Sequence, residues 1–433
     1  MKKRLLITVC LLALVAVAPA GADPQGTKTI ARVLDPVIVT GGACGLTGQP
    51  VAHYGLYAFK DNQLRPIPFQ IDEKNKDGQF VLAHGKKAAP DEDPAFDDND
   101  ELVFMAMDTG DRLSDQTLLP SGFKACAELA VTDPVTQATA WVYLAVFDSP
   151  PEKSSIDYVA YGDGGSSFRT RNYSVGFDDG HPVGASKYAF EKGVGGDGDN
   201  FIDRIKVRVI MRAMGVTLHR NEEDIKVQAL GYIDGPVRVI VFSKNVTSLM
   251  LGIGASTTTQ YTYYYSSFAN FAFAVAFPLR PSLFHATIID DFKDAKGWGF
   301  YNSNNPDGHV IDGMMDATDA KLDLSPWKWS ALSNGKQCFW SIWRAPAGCP
   351  VKASLYFNDN ANAEDKMEDK KGELPGIGFD FNKGWDQLNA DSVEFRLIHF
   401  YTQGYQKGME TDICNVYDVP LKVTATALKN VGE

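Results

Sequence analysis

"FIDRIKVRVIM", residues 201–211, decides the fold class. Ile205, Val207, Val209 and Met211 alternate with Lys206, Arg208 and Ile210, and a spacing of two is that of a half-buried strand, not of a helix. The same alternation runs through "GPVRVIVF" (235–242), "VEFRLIHFY" (393–401) and "LKVTATAL" (421–428). Between such segments stand "DEKNKDG", "DTGD", "GVGGDGDN", "NSNNPDG" and "APAG", whose Gly, Pro, Asp and Asn favour turns. One run differs: Leu102 to Met107 in "ELVFMAM" is apolar without a break, which predicts a strand covered on both faces.

These patterns predict an all-β protein of two or three sandwich-like domains built from mostly antiparallel strands. "DSPPEKSS" (148–155) reads as a linker, and "DDFKDAKGWG" (290–299) as a weaker boundary. The expected division is 23–150, 156–290 and 291–433, with the last two able to form one unit. Helical periodicity is scarce. The best candidate, "NAEDKMEDKKGEL" (362–374), is nearly all polar.

The chain opens "MKKRLLITVCLLALVAVAPAGADPQ". Three basic residues, a short apolar run and a small-x-small site before Asp23 predict a secretory signal peptide over 1–22 and a periplasmic or extracellular location. No later stretch is long and apolar enough to predict a transmembrane segment. The net charge is −12, a poor match for phosphate backbones, so nucleic acid is not an expected partner.

Past the leader stand Cys44, Cys126, Cys338, Cys349 and Cys414. In an oxidising compartment an odd number allows at most two disulfides. Cys44 with Cys126 is one pairing, and the last three compete for the other. No Cys-x-x-Cys-His motif supports covalent haem, and no Gly-x-x-x-x-Gly-Lys-Ser/Thr motif supports a nucleotide.

Three acidic loops are candidate Ca2+ sites, because calcium takes several oxygens spaced along a tight turn. They are Asp72, Glu73, Asn75 and Asp77; then Asp197, Asp199 and Asp203; then Asn302, Asn304, Asp307 and Asp312. In each, turn formation explains the same residues without an ion. "FDDGHP", with Asp178, Asp179 and His181, is the most enzyme-like cluster, although its Gly and Pro also suit a turn. The acidic groups around Asp100 and Asp108 flank the apolar run and are expected to hold backbone amides at its ends.

Trp327 and Trp329 in "SPWKWS", with Trp340 and Trp343 in "CFWSIWR", are the candidate carbohydrate contacts, since exposed indoles stack on sugar rings. The segment Gln260 to Phe277 places Tyr261, Tyr263, Tyr265, Phe271, Phe273, Val275 and Phe277 on one face if it is a single strand. Such a row is either a stacking face or part of the core.

"LRPIPFQIDEKNKDG", "FDDNDELVFMAMDTGDR", "DGPVRVI" and "DICNVYDVPLKV" together resemble exported, β-rich bacterial proteins without an assigned activity. The resemblance implies buried strands joined by acidic turns, and it brings no catalytic residues. Two functions follow from the sequence. The first is an exported non-catalytic binding or structural protein, calcium-stabilised, that contacts glycan, cell-surface polymer or a partner protein. The alternative is a carbohydrate-active enzyme, a polysaccharide lyase or glycoside hydrolase of β-sandwich architecture, whose acidic or Tyr, Arg and His groups would come from separate strands.

Overall fold

The computed structural model describes residues 26–86, 94–162, 167–178, 181–213, 215–250, 254–276, 283–362, 375–388 and 392–428. The expected signal peptide, most of the 362–374 segment, Asp179 and Phe277 lie outside them. The described chain is β-rich and its paired strands are antiparallel. Among the described residues no helix is long and apolar enough to cross a membrane.

The sheets stack in four layers. The first has five strands, in the order Lys422–Leu428, Phe123–Thr132, Thr139–Phe147, Tyr54–Lys60 and Gln63–Pro66. The second has three: Pro36–Thr40, Glu101–Met105 and Phe69–Asp72. The third is a nine-stranded sheet running from Ile225–Asp234 to His309–Val310. The fourth holds a four-stranded sheet (Val159–Gly162 to His181–Phe190) and a five-stranded one side by side. The latter orders Val216–Asn221, Ile202–Ala213, Leu283–Phe292, Gly376–Lys383 and Lys352–Asn358.

Side-chain alternation in Glu101–Met105 joins the stack. Leu102 and Phe104 enter the core between the first two layers, while Val103 and Met105 enter the core between the second and third. The apolar run therefore forms the doubly covered strand that its composition predicts. Asp100 at its start accepts the Lys74 and Asp97 amides at 2.7 and 2.8 Å. Beyond its end, the Asp108 carboxylate accepts the Tyr158 hydroxyl instead.

A buried ionic network crosses the same junction. Arg238, 1% exposed, donates to Asp72 Oδ2 at 2.8 Å, Glu101 Oε2 at 2.5 Å and the Tyr265 hydroxyl at 2.9 Å. Lys74 Nζ donates to the other Glu101 oxygen at 2.5 Å. Gln70 donates to Asp72 Oδ1 and accepts the amides of Val237 and Arg238. Although burial works to raise the Glu101 pKa, Arg238 and Lys74 hold its carboxyl below the usual range. Three of the four segments that carry the resemblance thus meet at one point.

Several expectations need correction. The five cysteines past the leader are free thiols: Cys44 lies in the core of the first two layers and Cys126 in a rim cluster, Cys338 and Cys414 border the core between the second and third layers, and Cys349 lies in the core between the third and fourth. Burial pushes the Cys44 and Cys126 thiols up to about 12, which keeps them protonated and unreactive. "DICNVYDVPLKV" is not all strand: Met409–Asp418 is a helix that buries Ile413 and Val416. Strands from before and after residue 290 share the nine-stranded and five-stranded sheets, joined in the larger one where Phe268–Ala276 pairs with Ser392–Gln403, and Lys422–Leu428 pairs with Phe123–Thr132. Residue 290 lies within the strand Leu283–Phe292, and the last strand returns to the first layer.

Replacing Arg238 with leucine leaves two buried carboxylates facing only one cation. The R238L chain should lose about 3–5 kcal/mol of unfolding free energy in urea. A loss under about 1 kcal/mol would show that the network does not hold the layers.

Candidate functional site

The expected aromatic sites are core. Trp327, Trp329, Trp340 and Trp343 are all buried, and each pair splits across the nine-stranded sheet. Trp329 and Trp340 pack toward the second layer, Trp327 and Trp343 toward the fourth. A sheet covered on both faces has no exposed face for a sugar. The 260–277 segment is a hairpin of Gly254–Tyr264 and Phe268–Ala276. Its turn breaks the single-face register, sending Tyr263 and Tyr265 to one core and Phe271, Phe273 and Val275 to the other.

The expected calcium loops close on themselves. Asp72 is held by Arg238, and Asn75 Oδ1 accepts the amides of Asp77 and Gln79, both at 3.0 Å. Asp197 Oδ1 accepts the Asp199 amide, and Asp203 lies 3.8 Å from Arg204. Asn302 Oδ1 takes two backbone amides and Asp307 pairs with Lys407. These are one buried ion pair, turn bonds and partly exposed pairs, contacts that the loops' composition also allows without an ion. Asp178 and His181 end and begin the two strands of a hairpin.

Two sites were not singled out by local motifs. The first is the outward face of the five-stranded sheet in the fourth layer. Its inward face buries Phe292, Ile377, Phe379, Phe381, Leu355 and Phe357. By register its outward face carries rows of polar side chains. One runs His219, Ile210, His285; the next runs Asn221, Arg208, Thr287, Asp380, Ser354. Further along come Lys206 and Ile289, then Arg204 and Asp291. Tyr356 stands opposite Gly378, a glycine required by the close approach of the neighbouring strand. A Cβ at Gly378 would come within 2.0 Å of the Ile288 carbonyl oxygen.

The charges on this face are held in pairs. Arg208 bonds Glu222, which also accepts the Val207 amide at 2.8 Å. Lys206 Nζ lies 2.7 Å from Asp291. Burial raises the Asp291 carboxyl, with Lys206 opposing the shift. His285 Nε2 contacts Asp380, whose second oxygen accepts from Asn382 at 3.0 Å. With side chains 35% and 25% exposed, His285 and Asp380 form a solvent-reachable pair.

The second site is enclosed between the third and fourth layers. Asp290 points inward from its strand and lies 3.8 Å from His399 Nε2. The ring of Tyr188 stands 5.7 Å from His399 and 5.9 Å from Tyr401. Among the described residues, Asp290 Oδ1, both His399 nitrogens, the two hydroxyls and Ser341 Oγ find no hydrogen-bond partner. Burial pushes Asp290 up to about 8 and His399 down to about 3, so both are neutral near pH 7.

No family model and no curated sequence matches the chain. Among solved structures it is similar to the α-N-acetylgalactosaminidase NagBb of Bifidobacterium bifidum in its GalNAc complex, at 13% identity and TM-score 0.36, over 58% of this chain and 38% of that one. It is also similar to an α-mannosidase from Enterococcus faecalis V583, at 8% identity and TM-score 0.46, over 93% of this chain and 47% of that one. A third is the Slr1438 protein from Synechocystis sp. PCC 6803, at 8% identity and TM-score 0.33, over 58% and 97%. The chain thus spans less than half the length of either glycosidase. Likeness at this level leaves substrate and reaction to be argued from this chain's own residues.

Asp290 sets a pH dependence. It keeps its proton to about pH 8 when folded against an ordinary value of 3.8, so its contribution to stability is full below 3.8 and lost as pH rises to 8. His399, lowered to about 3 from 6.5, acts oppositely and destabilises the fold as pH falls below 6.5. Above 6.5 Asp290 acts alone. Urea unfolding between pH 6.5 and 8 should show the parent losing up to about 2 kcal/mol that D290N retains. Parallel losses in both proteins would contradict this assignment.

Proposed function

We propose that the protein is an exported, non-catalytic glycan-binding protein, and that its ligand lies along the outward face of the five-stranded sheet. The observation that carries the reading is the set of planar polar side chains fixed in pairs on that face, with His285 and Asp380 at its solvent-reachable part. Sugar hydroxyls donate and accept together, so they match carboxylates, guanidinium groups, imidazoles and amides whose directions are already set. Preorganisation lowers the entropy lost on binding. Tyr356, at the register position opposite Gly378, offers the face a ring. The leader-like N-terminal segment supports export.

The carbohydrate-active enzyme is the second reading, and the same His285–Asp380 contact favours it. An aspartate that orients an accessible imidazole is a common general-base arrangement. Calorimetric titration with a panel of acidic and neutral polysaccharides tests both. The proposal expects binding that weakens about tenfold or more in D380A and in H285A, with the polymers recovered intact. Absence of binding across the panel would overturn the glycan reading. New reducing ends or unsaturated products that disappear in H285A would establish the enzyme instead.

A further inference from the structure

We propose that His309, Asp319 and Asp359 bind one divalent transition-metal cation of the Zn2+ class, which clips the edges of two sheets together. This goes beyond the glycan reading and does not rest on it. His309 comes from His309–Val310, at the edge of the nine-stranded sheet. Asp359 directly follows Lys352–Asn358, the edge strand of the five-stranded sheet, and Asp319 opens a short helical turn between them in sequence. Their ligand atoms lie within 4.8 Å of one another. Among the described residues no other group of three or more His, Cys, Asp or Glu meets that arrangement.

Burial and pairing point to a missing cation. Asp319 is 6% exposed and Asp359 0%, and neither is ion-paired with a lysine or arginine among the described residues. Two enclosed carboxylates thus face one imidazole and no lysine or arginine among the described residues, a set that a bound cation would complete. His309 Nε2 and Asp319 Oδ1 stand 2.7 Å apart, yet neither atom makes a hydrogen bond. Both aim at common space instead of at each other through a proton.

The surroundings already orient each ligand. Asp319 Oδ2 accepts the Asp316 amide at 2.7 Å, leaving Oδ1 for an ion. Asp359 accepts the Asp312 and Gly313 amides at 2.8 and 3.2 Å. The His309 ring is fixed edge-on to Phe357 at 5.6 Å. Such outer bonds set the direction of ligands in metal sites. Ligands about 2.0–2.2 Å from a tetrahedral zinc stand roughly 3.4 Å apart, so the His309–Asp319 pair would open by well under 1 Å. An imidazole nitrogen with two carboxylates suits zinc or its neighbours better than calcium, which takes six or more oxygens.

The test uses the purified chain, stripped with chelator and titrated separately with Zn2+, Mn2+ and Ca2+ by calorimetry, with bound metal counted by mass spectrometry and melting followed in parallel. One Zn2+ per chain with a raised Tm is expected, and Ca2+ should bind more weakly. D319N and D359N should lose zinc affinity by more than about a hundredfold, since even outer-shell changes cost roughly 10–100-fold. D199N, in a turn outside the site, should bind as the parent does. Absence of stoichiometric zinc in the parent, zinc retained at full affinity in D319N, or calcium bound more tightly than zinc would each overturn the proposal. Circular dichroism confirms that each variant is folded, and the parent titration stands whether or not the variants are.

Discussion

The buried guanidinium of Arg238 constrains the molecule most. A charge with 1% exposure needs opposite charge within bonding distance, and Asp72 and Glu101 supply it from two strands of the second layer. Lys74 balances the second carboxylate, so two cations meet two anions in a closed set. Because Arg238 sits at the entry to a strand of the nine-stranded sheet, this electrostatic requirement fixes the second layer on the third. The strand Glu101–Met105 adds a steric requirement, since its two faces fill two different cores. The second layer is therefore tied to the first by one face of this strand, and to the third by its other face and the ionic network.

That stacking decides where function can reside. The four tryptophans lie where the nine-stranded sheet is covered on both sides, and they serve packing. On the outward face of the five-stranded sheet in the last layer, His285 and Asp380 meet solvent, while Lys206 and Asp291 are buried as a pair. At the rim of the same two-sheet sandwich, where an edge strand of each sheet approaches the other, His309, Asp319 and Asp359 converge. A glycan face and an ion holding its supporting edges would be compatible parts of one binding protein.

Much of the fold was legible in the sequence because strand periodicity is a local signal. "IKVRVIM" shows its two faces in seven residues, and "ELVFM" shows a doubly covered strand by lacking alternation. Which core each face enters was not legible, because that depends on pairing between segments far apart in the chain. The four tryptophans illustrate the gap: spacing located them on or beside strands, but only the covering of both sheet faces decided their burial. The metal-site candidate was half visible. His309 lies inside the acidic stretch "NSNNPDGHVID", but its partners stand 10 and 50 positions later, and no local spacing rule joins them. Asp290 and His399, from different sheets, likewise gave no local motif.

The central claim is that the shared strand and the Arg238 network make the first three layers one cooperative unit. Native-state hydrogen exchange in low denaturant, resolved by segment, tests it directly. The account predicts that slow amides in Glu101–Met105, in Thr139–Phe147 of the first layer and in Gln337–Arg344 of the third open with the same free energy, equal to that of global unfolding. Opening of the Thr139–Phe147 amides at a clearly lower free energy than those of Gln337–Arg344, with the latter still protected, would contradict it.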